Sequence, residues 1–273
     1  MGIRRTVVPY GRLAMRGAKL AAARGQQQGV QVLSFEQLVT RLAGGFARPI
    51  DPDTLKQVLR EALPTAPLGE LDPIKALPGM AGAAAETLSK AWRAGIDLDQ
   101  RASGQDRIRS IALLERAVLE RLPPSMKRPM DLVAAAMKRL AHAPAVLGPV
   151  EIVGLTELSP CWRPLLLALA HHIPVLWNAG PRFVPTWLSG SKVIVQQSQA
   201  TNPEITVVSA ATALHEAIEA LRWARDLVSS GRAQPSEIGI TACQTADYDD
   251  AFVTLRAEGD LDFRFVHGIP AAA

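Results

Sequence analysis

Arg12, Arg16 and Lys19 stand at i, i+4 and i+7 in a stretch, 11–24, that contains no proline. At 3.6 residues per turn these side chains fall within about 60° of one helix face. A row of cations at that pitch can follow the phosphates of a nucleic-acid strand, because each neutralised phosphate releases a counterion. The plainer reading is a solvated face. The surrounding charge raises the first reading: residues 1–35 contain no Asp or Glu, yet hold Arg4, Arg5, Arg12, Arg16, Lys19 and Arg24. That segment carries six positive charges while the whole chain carries +4, so the remainder is net negative. No aromatic residue is interleaved with the row, so it offers no platform for base stacking. Leu13 and Leu20 are expected to turn toward the core.

Other reactive residue types are present without a complete motif. His215-Glu-Ala-Ile-Glu219 resembles a zinc-protease helix, but the second His is replaced by Glu219. His171 and His172 suit a helix C-terminus, and Asp247, Asp249 and Asp250 suit a helix start, where the helix dipole favours each charge. Cys161 falls in the first turn of a predicted helix, a position that can lower a thiol pKa, but no His or Asn motif accompanies it. The lysines (19, 56, 75, 90, 127, 138 and 192) are never preceded by Gly, so no phosphate-wrapping Walker A loop can form. None has Asp or Glu two residues before it, so the D/E-x-K half of a restriction-type nuclease site is missing too. No catalytic residue, metal or cofactor is therefore expected.

The elements that must position the basic row follow from hydrophobic period and punctuation. Strands are predicted over 6–9, 30–33, 150–155, 175–177, 193–195, 205–210, 238–242 and 263–266. Helices are predicted over 11–24, 35–43 with Ser34 as cap, 52–63 with Asp51 as cap, 79–94, 107–122, 130–142, 160–171, 213–229 and 247–258. No strand is expected between 50 and 147. Strands alternating with helices imply a mainly parallel sheet covered by helices. The predicted class is α/β: a parallel, RecA-like sheet formed by 1–49 and 148–200, a helical insertion over 50–147, and the start of a second α/β lobe over 201–273.

With 48% hydrophobic and 21% charged residues the composition is that of an ordinary globular protein rather than a disordered one. The two cysteines, Cys161 and Cys243, are far apart and form no CxxC pair, which points away from a disulfide framework and toward a reducing, cytoplasmic setting. The apolar run after Arg4 and Arg5 is broken at Pro9, too early for a signal peptide, and no run reaches the ~20 apolar residues of a membrane span.

Several segments, taken in order, resemble one family. Thr6-Val-Val-Pro9 followed by a basic helix, Gln31-Val-Leu-Ser-Phe-Glu-Gln-Leu38, Ala94-Gly-Ile-Asp97 and Gly154-Leu-Thr-Glu-Leu-Ser-Pro160 are similar to segments of the front part of AddB-type ATP-dependent helicase–nuclease polypeptides. Glu216 and Ala217, Glu237-Ile-Gly-Ile240, Tyr248 and residues 263–270 resemble the start of the second helicase lobe of that family. The family also includes PD-(D/E)XK nuclease-domain proteins with a degenerate helicase region. The resemblance implies RecA-like lobes that handle DNA during repair and recombination, beside a helicase partner subunit. It implies neither ATP hydrolysis nor nuclease activity here, because the residues that carry them are missing, and the sequence looks like a fragment or a truncated product. Two further functions stay open: a free-standing α/β enzyme with an unrecognised site, and an inactive remnant.

Overall fold

The computed structural model describes residues 4–103, 105–199, 203–259 and 264–265. The chain divides into two compact units, Met1–Thr201 and Asn202–Ala273.

The first unit is α/β. Its main sheet contains β1 (Arg5–Pro9), β2 (Val30–Val32), β5 (Val150–Val153), β6 (Val175–Gly180) and β7 (Ile194–Gln197). The strand order is β2-β1-β5-β6-β7, and every neighbouring pair is parallel. Strand order therefore reverses at β1, whose neighbours are β2 on one side and β5 on the other. In doubly wound sheets such a reversal opens a crevice at the carboxyl ends of the strands.

Thr6, Val8, Val150, Ile152, Val175 and Trp177 alternate onto one face of the sheet and are buried. They share a core with Leu38 of α2 (Phe35–Leu42), Leu132 of α7 (Pro129–Met137) and Leu165 of α9 (Arg163–Leu169). The side chains between them, such as Val7, Glu151, Val153 and Leu176, are half-buried. Helix α1 (Gly11–Arg24) contributes no residue to that core and packs against β1 and β2.

Local chemistry accounts for several element ends. Ser34 caps α2 in a reciprocal box with Gln37, each side chain bonding the other's backbone N–H. Asp51 accepts from the N–H of Thr54 and opens α3 (Pro52–Ala62) with Pro52 at the first position. Two predicted helices are broken into shorter pieces. The 160–171 stretch begins as a 3-10 turn at Pro160–Trp162 because Pro164 has no N–H to continue an α ladder, and Ser159 makes no side-chain cap. The 130–142 stretch stops at Met137, and a second short helix, α8 (Ala143–Val146), carries Pro144 in its first turn.

The helical block has its own core, from Leu55 to Met126, built on α3, α4 (Met80–Arg93), α5 (Leu98–Arg101) and α6 (Asp106–Arg121). The expectation that no strand lies between 50 and 147 is corrected here. A short β4 (Met126–Lys127) pairs in parallel with β3 (Arg48–Pro49), tying the entry of the block to its exit. Two residues give no periodic signal, and Pro49 reads as a breaker rather than a strand. The pair survives because the N–H groups of Arg48 and Ile50 reach the carbonyls of Ser125 and Lys127 across the fold.

The second unit contains α10 (Ala213–Ser229) and α11 (Asp249–Gly259). The strands predicted over 205–210 and 238–242 are corrected: both stretches lack a strand ladder among the described residues. β-branched composition favours a strand only where a neighbour supplies the hydrogen bonds. The strand expected over 263–266 lies largely outside the described residues.

Candidate nucleic-acid interface

Helix α1 starts where β1 ends. Gly11, at φ +85°, takes the left-handed conformation that turns the chain from strand into helix. The helix has no side-chain cap, no acid in its first turn and no fully buried residue. Met15, Ala18 and Ala22 are the half-buried side that leans on the sheet.

Arg12, Arg16 and Lys19 are all exposed. Among the described residues none of them forms an ion pair. Over seven residues the row extends about 10 Å along the helix axis. The other cations of the acid-free segment divide in two. Arg4 donates to the carbonyl of Ala145 and Arg5 to the side chain of Gln27, each at 2.8 Å, so both are partly committed to the fold. Arg24 stays exposed at the last turn of α1. Lys19 also borders a shallow groove with Glu36, Gln37, Thr40 and Arg41. Burial raises the Glu36 carboxyl above its ordinary value, against the opposing pull of Arg93.

Leu13 and Leu20 correct the expectation that they face the core: they are 63% and 45% exposed. Their stripe lies on the side of α1 away from Met15, Ala18 and Ala22. Alanine-sized side chains let the helix sit close to β1 and β2, and the larger leucines are left outside.

Tyr10, directly before the helix, is 65% exposed at the carboxyl end of β1. Its N–H bonds the carbonyl of Val153 in β5 at 3.0 Å, which holds the residue at the strand-order reversal. Gly154 follows β5 with φ +74°, and a Cβ there would lie 4.0 Å from Tyr10 Cβ and 3.7 Å from Arg182 Nη1. Arg182 comes from the loop after β6 and donates to the Gly154 carbonyl at 2.5 Å. Phe183, next in the chain, is 93% exposed. Sequence reading missed this group because Tyr10 is separated from Gly154, Arg182 and Phe183 by more than a hundred residues. The one available signal was a tyrosine standing in the strand-to-helix turn.

Glu157, beyond Gly154, is already engaged. It accepts from the Leu158 N–H, the Trp187 indole and Arg163, whose guanidinium lies 5.2 Å above the Trp187 ring. Burial would raise its pKa, but these donors together hold it below the ordinary glutamate value.

The remaining motif residues have structural surroundings. Thr212 caps α10 and bonds His215, while Glu216 accepts from the Tyr248 hydroxyl. His171 and His172 follow the end of α9, and Asp249 and Asp250 open α11. Cys161 is buried, and burial pushes its thiol up to about 11, away from nucleophilic use. Among the described residues no group of three or more His, Cys, Asp or Glu side chains is placed to hold a metal ion. Among them, too, no helix is long and apolar enough to cross a membrane.

Comparison of the chain with models of known protein families gives no match, and comparison with curated proteins gives none either.

Proposed function

We propose that this chain is a non-catalytic DNA-handling portion of an AddB-type helicase–nuclease, acting in the cytoplasm in DNA repair and recombination beside a helicase partner subunit. The observation that carries the reading is the row Arg12, Arg16 and Lys19: exposed, free of ion pairs among the described residues, and set in a segment without acids. Cations left in this state are hydrated and available to phosphate. The ordered resemblance to the family supports the same reading. The segment 31–38 spans β2, the Ser34 cap and the start of α2, and the segment 154–160 leaves the carboxyl end of β5.

Three phosphate contacts on single-stranded DNA give a log–log salt slope of about −2. Fluorescence anisotropy with a labelled oligonucleotide, titrated at several salt concentrations, measures that slope on the full chain. The combined Arg12→Gln, Arg16→Gln, Lys19→Gln variant is expected to flatten it while leaving the fold unchanged, since exposed charges contribute little to stability. Equal binding by parent and variant at low salt would reduce the helix to a solvated surface.

A further inference from the structure

We propose that the carboxyl edge of the sheet at the strand-order reversal is a base-stacking platform for single-stranded DNA, with Tyr10 and Phe183 as the stacking residues and Arg12 and Arg182 as their phosphate partners. The proposal rests on the reading of α1 as a DNA-contacting helix and specifies which form of DNA it takes.

The platform is assembled by the fold. Tyr10 follows β1, Gly154 follows β5, and Arg182 and Phe183 follow β6, so three adjacent strand ends deliver the group to one edge. The Tyr10 N–H bond to Val153 and the Arg182 bond to the Gly154 carbonyl fix both residues to the end of β5, and the absence of a side chain at Gly154 keeps the floor between them low. Strands β1 and β6 are separated by β5 alone. At about 4.8 Å per strand their ends lie roughly 10 Å apart, about three base steps of 3.4 Å.

Exposure argues for a ligand of flat, apolar faces. An aromatic side chain gains most by burial, and two of the most exposed aromatics in the described chain stand at this edge. Each has an arginine within two residues: Arg12 after Tyr10, and Arg182 before Phe183. Arg182 Nη1 is held by the Gly154 carbonyl, and the other N–H groups of that guanidinium form no bond among the described residues. Aromatic faces interleaved with cations bind single strands without regard to sequence, because every base has a π-face and every linkage a phosphate. A duplex keeps its base faces stacked on one another and offers them to neither ring. The nearest acid along the β5 exit, Glu157, is already engaged by Arg163 and Trp187, so its charge is partly offset. The row on α1 continues from Arg12 away from this edge, giving a strand that leaves the platform further phosphate contacts.

The test uses the full chain and three labelled probes of equal length: oligothymidine, an abasic strand with the same backbone, and a duplex. The parent is expected to bind oligothymidine about tenfold or more tightly than the abasic strand, since each stacked base contributes measurably. The combined Tyr10→Ala, Phe183→Ala variant is expected to lose that preference and keep the salt slope. Tyr10→Phe alone should retain binding, and Phe46→Ala, which removes an equally exposed ring elsewhere, should leave it unchanged. Far-UV circular dichroism checks each variant's fold. Equal affinity for oligothymidine and the abasic strand would overturn the platform, as would a Phe46→Ala loss matching that of the double variant. In either case a slope still flattened by the α1 glutamine variant leaves the DNA-contacting helix standing. Failure of the parent to bind any probe at low salt removes both.

Discussion

Replacing Arg128 with Met is expected to destabilise the helical block by about 3–5 kcal/mol, the range found when one partner of a buried ion pair is removed. The cost follows from Glu115, a carboxylate only 3% exposed on α6. Its Oε1 receives the Trp92 indole N–H at 2.5 Å and Arg128 Nη1 at 2.9 Å. Arg128 also forks onto Asp131 through Nε and Nη2, at 2.9 and 3.1 Å. The Asp131 bonds first, then those to Glu115, outweigh burial and raise the guanidinium pKa further above its ordinary value. Without Arg128, Glu115 keeps one neutral donor in a site that excludes water. Asp131 is partly exposed and rehydrates, so its loss adds little. The companion variant, Glu115→Leu with Arg128→Met, removes both charges. It should recover most of the loss, leaving about 1 kcal/mol for the stranded indole. Hydrogen exchange of the α6 amides is the suitable assay, because two units need not unfold together and exchange reads opening locally. A loss below about 1 kcal/mol for the single variant, or a double variant no better than the single, would refute this account of the network.

Two further outcomes follow from the packing around the sheet. Gly148→Ala should cost at least about 3 kcal/mol, measured as a shift in urea midpoint, because the backbone is left-handed and a Cβ would meet the Arg4 carbonyl oxygen at 1.7 Å. Relief by local movement is limited, since Arg4, Thr6 and Gln31 all bond carbonyls of residues 145–147. The second outcome concerns pH: burial raises the Cys161 thiol from its ordinary 9.0 to about 11. Between those values the unfolded chain releases a proton that the folded chain retains. Stability therefore falls as pH rises through this window, by roughly 2–3 kcal/mol at about 1.4 kcal/mol per unit. A Cys161→Ala variant, compared with the parent by urea unfolding from pH 8 to 11, should lack this component; parallel pH profiles would contradict it.

Much of the local structure was legible in the residues themselves. Ser34 with Gln37, and Asp51 with Pro52, announce helix starts through bonds made within four residues, so no distant partner is needed to form them. The β-branched runs at β1 and β5 and the helix over 11–24 were similarly plain, and so was the mainly parallel α/β class. The spacing of Arg12, Arg16 and Lys19 set their common face, because helical period determines the angle between side chains. Period does not determine where that face points. The placement of Leu13 and Leu20 in solvent depends on α1 leaning on the sheet by Met15, Ala18 and Ala22, which only the strand positions decide. No local pattern marks Glu115 as buried; Trp92 and Arg128, brought to it by the fold, enclose it. The β3–β4 pair and the edge joining Tyr10, Gly154 and Arg182 come from parallel pairing across long stretches of chain, for which no local pattern exists. A strand's composition can show that it will pair, but its neighbour is chosen by the free energy of the whole packed sheet. The order β2-β1-β5, and with it the reversal that brings the aromatic and arginine side chains to one edge, belongs to the tertiary structure alone.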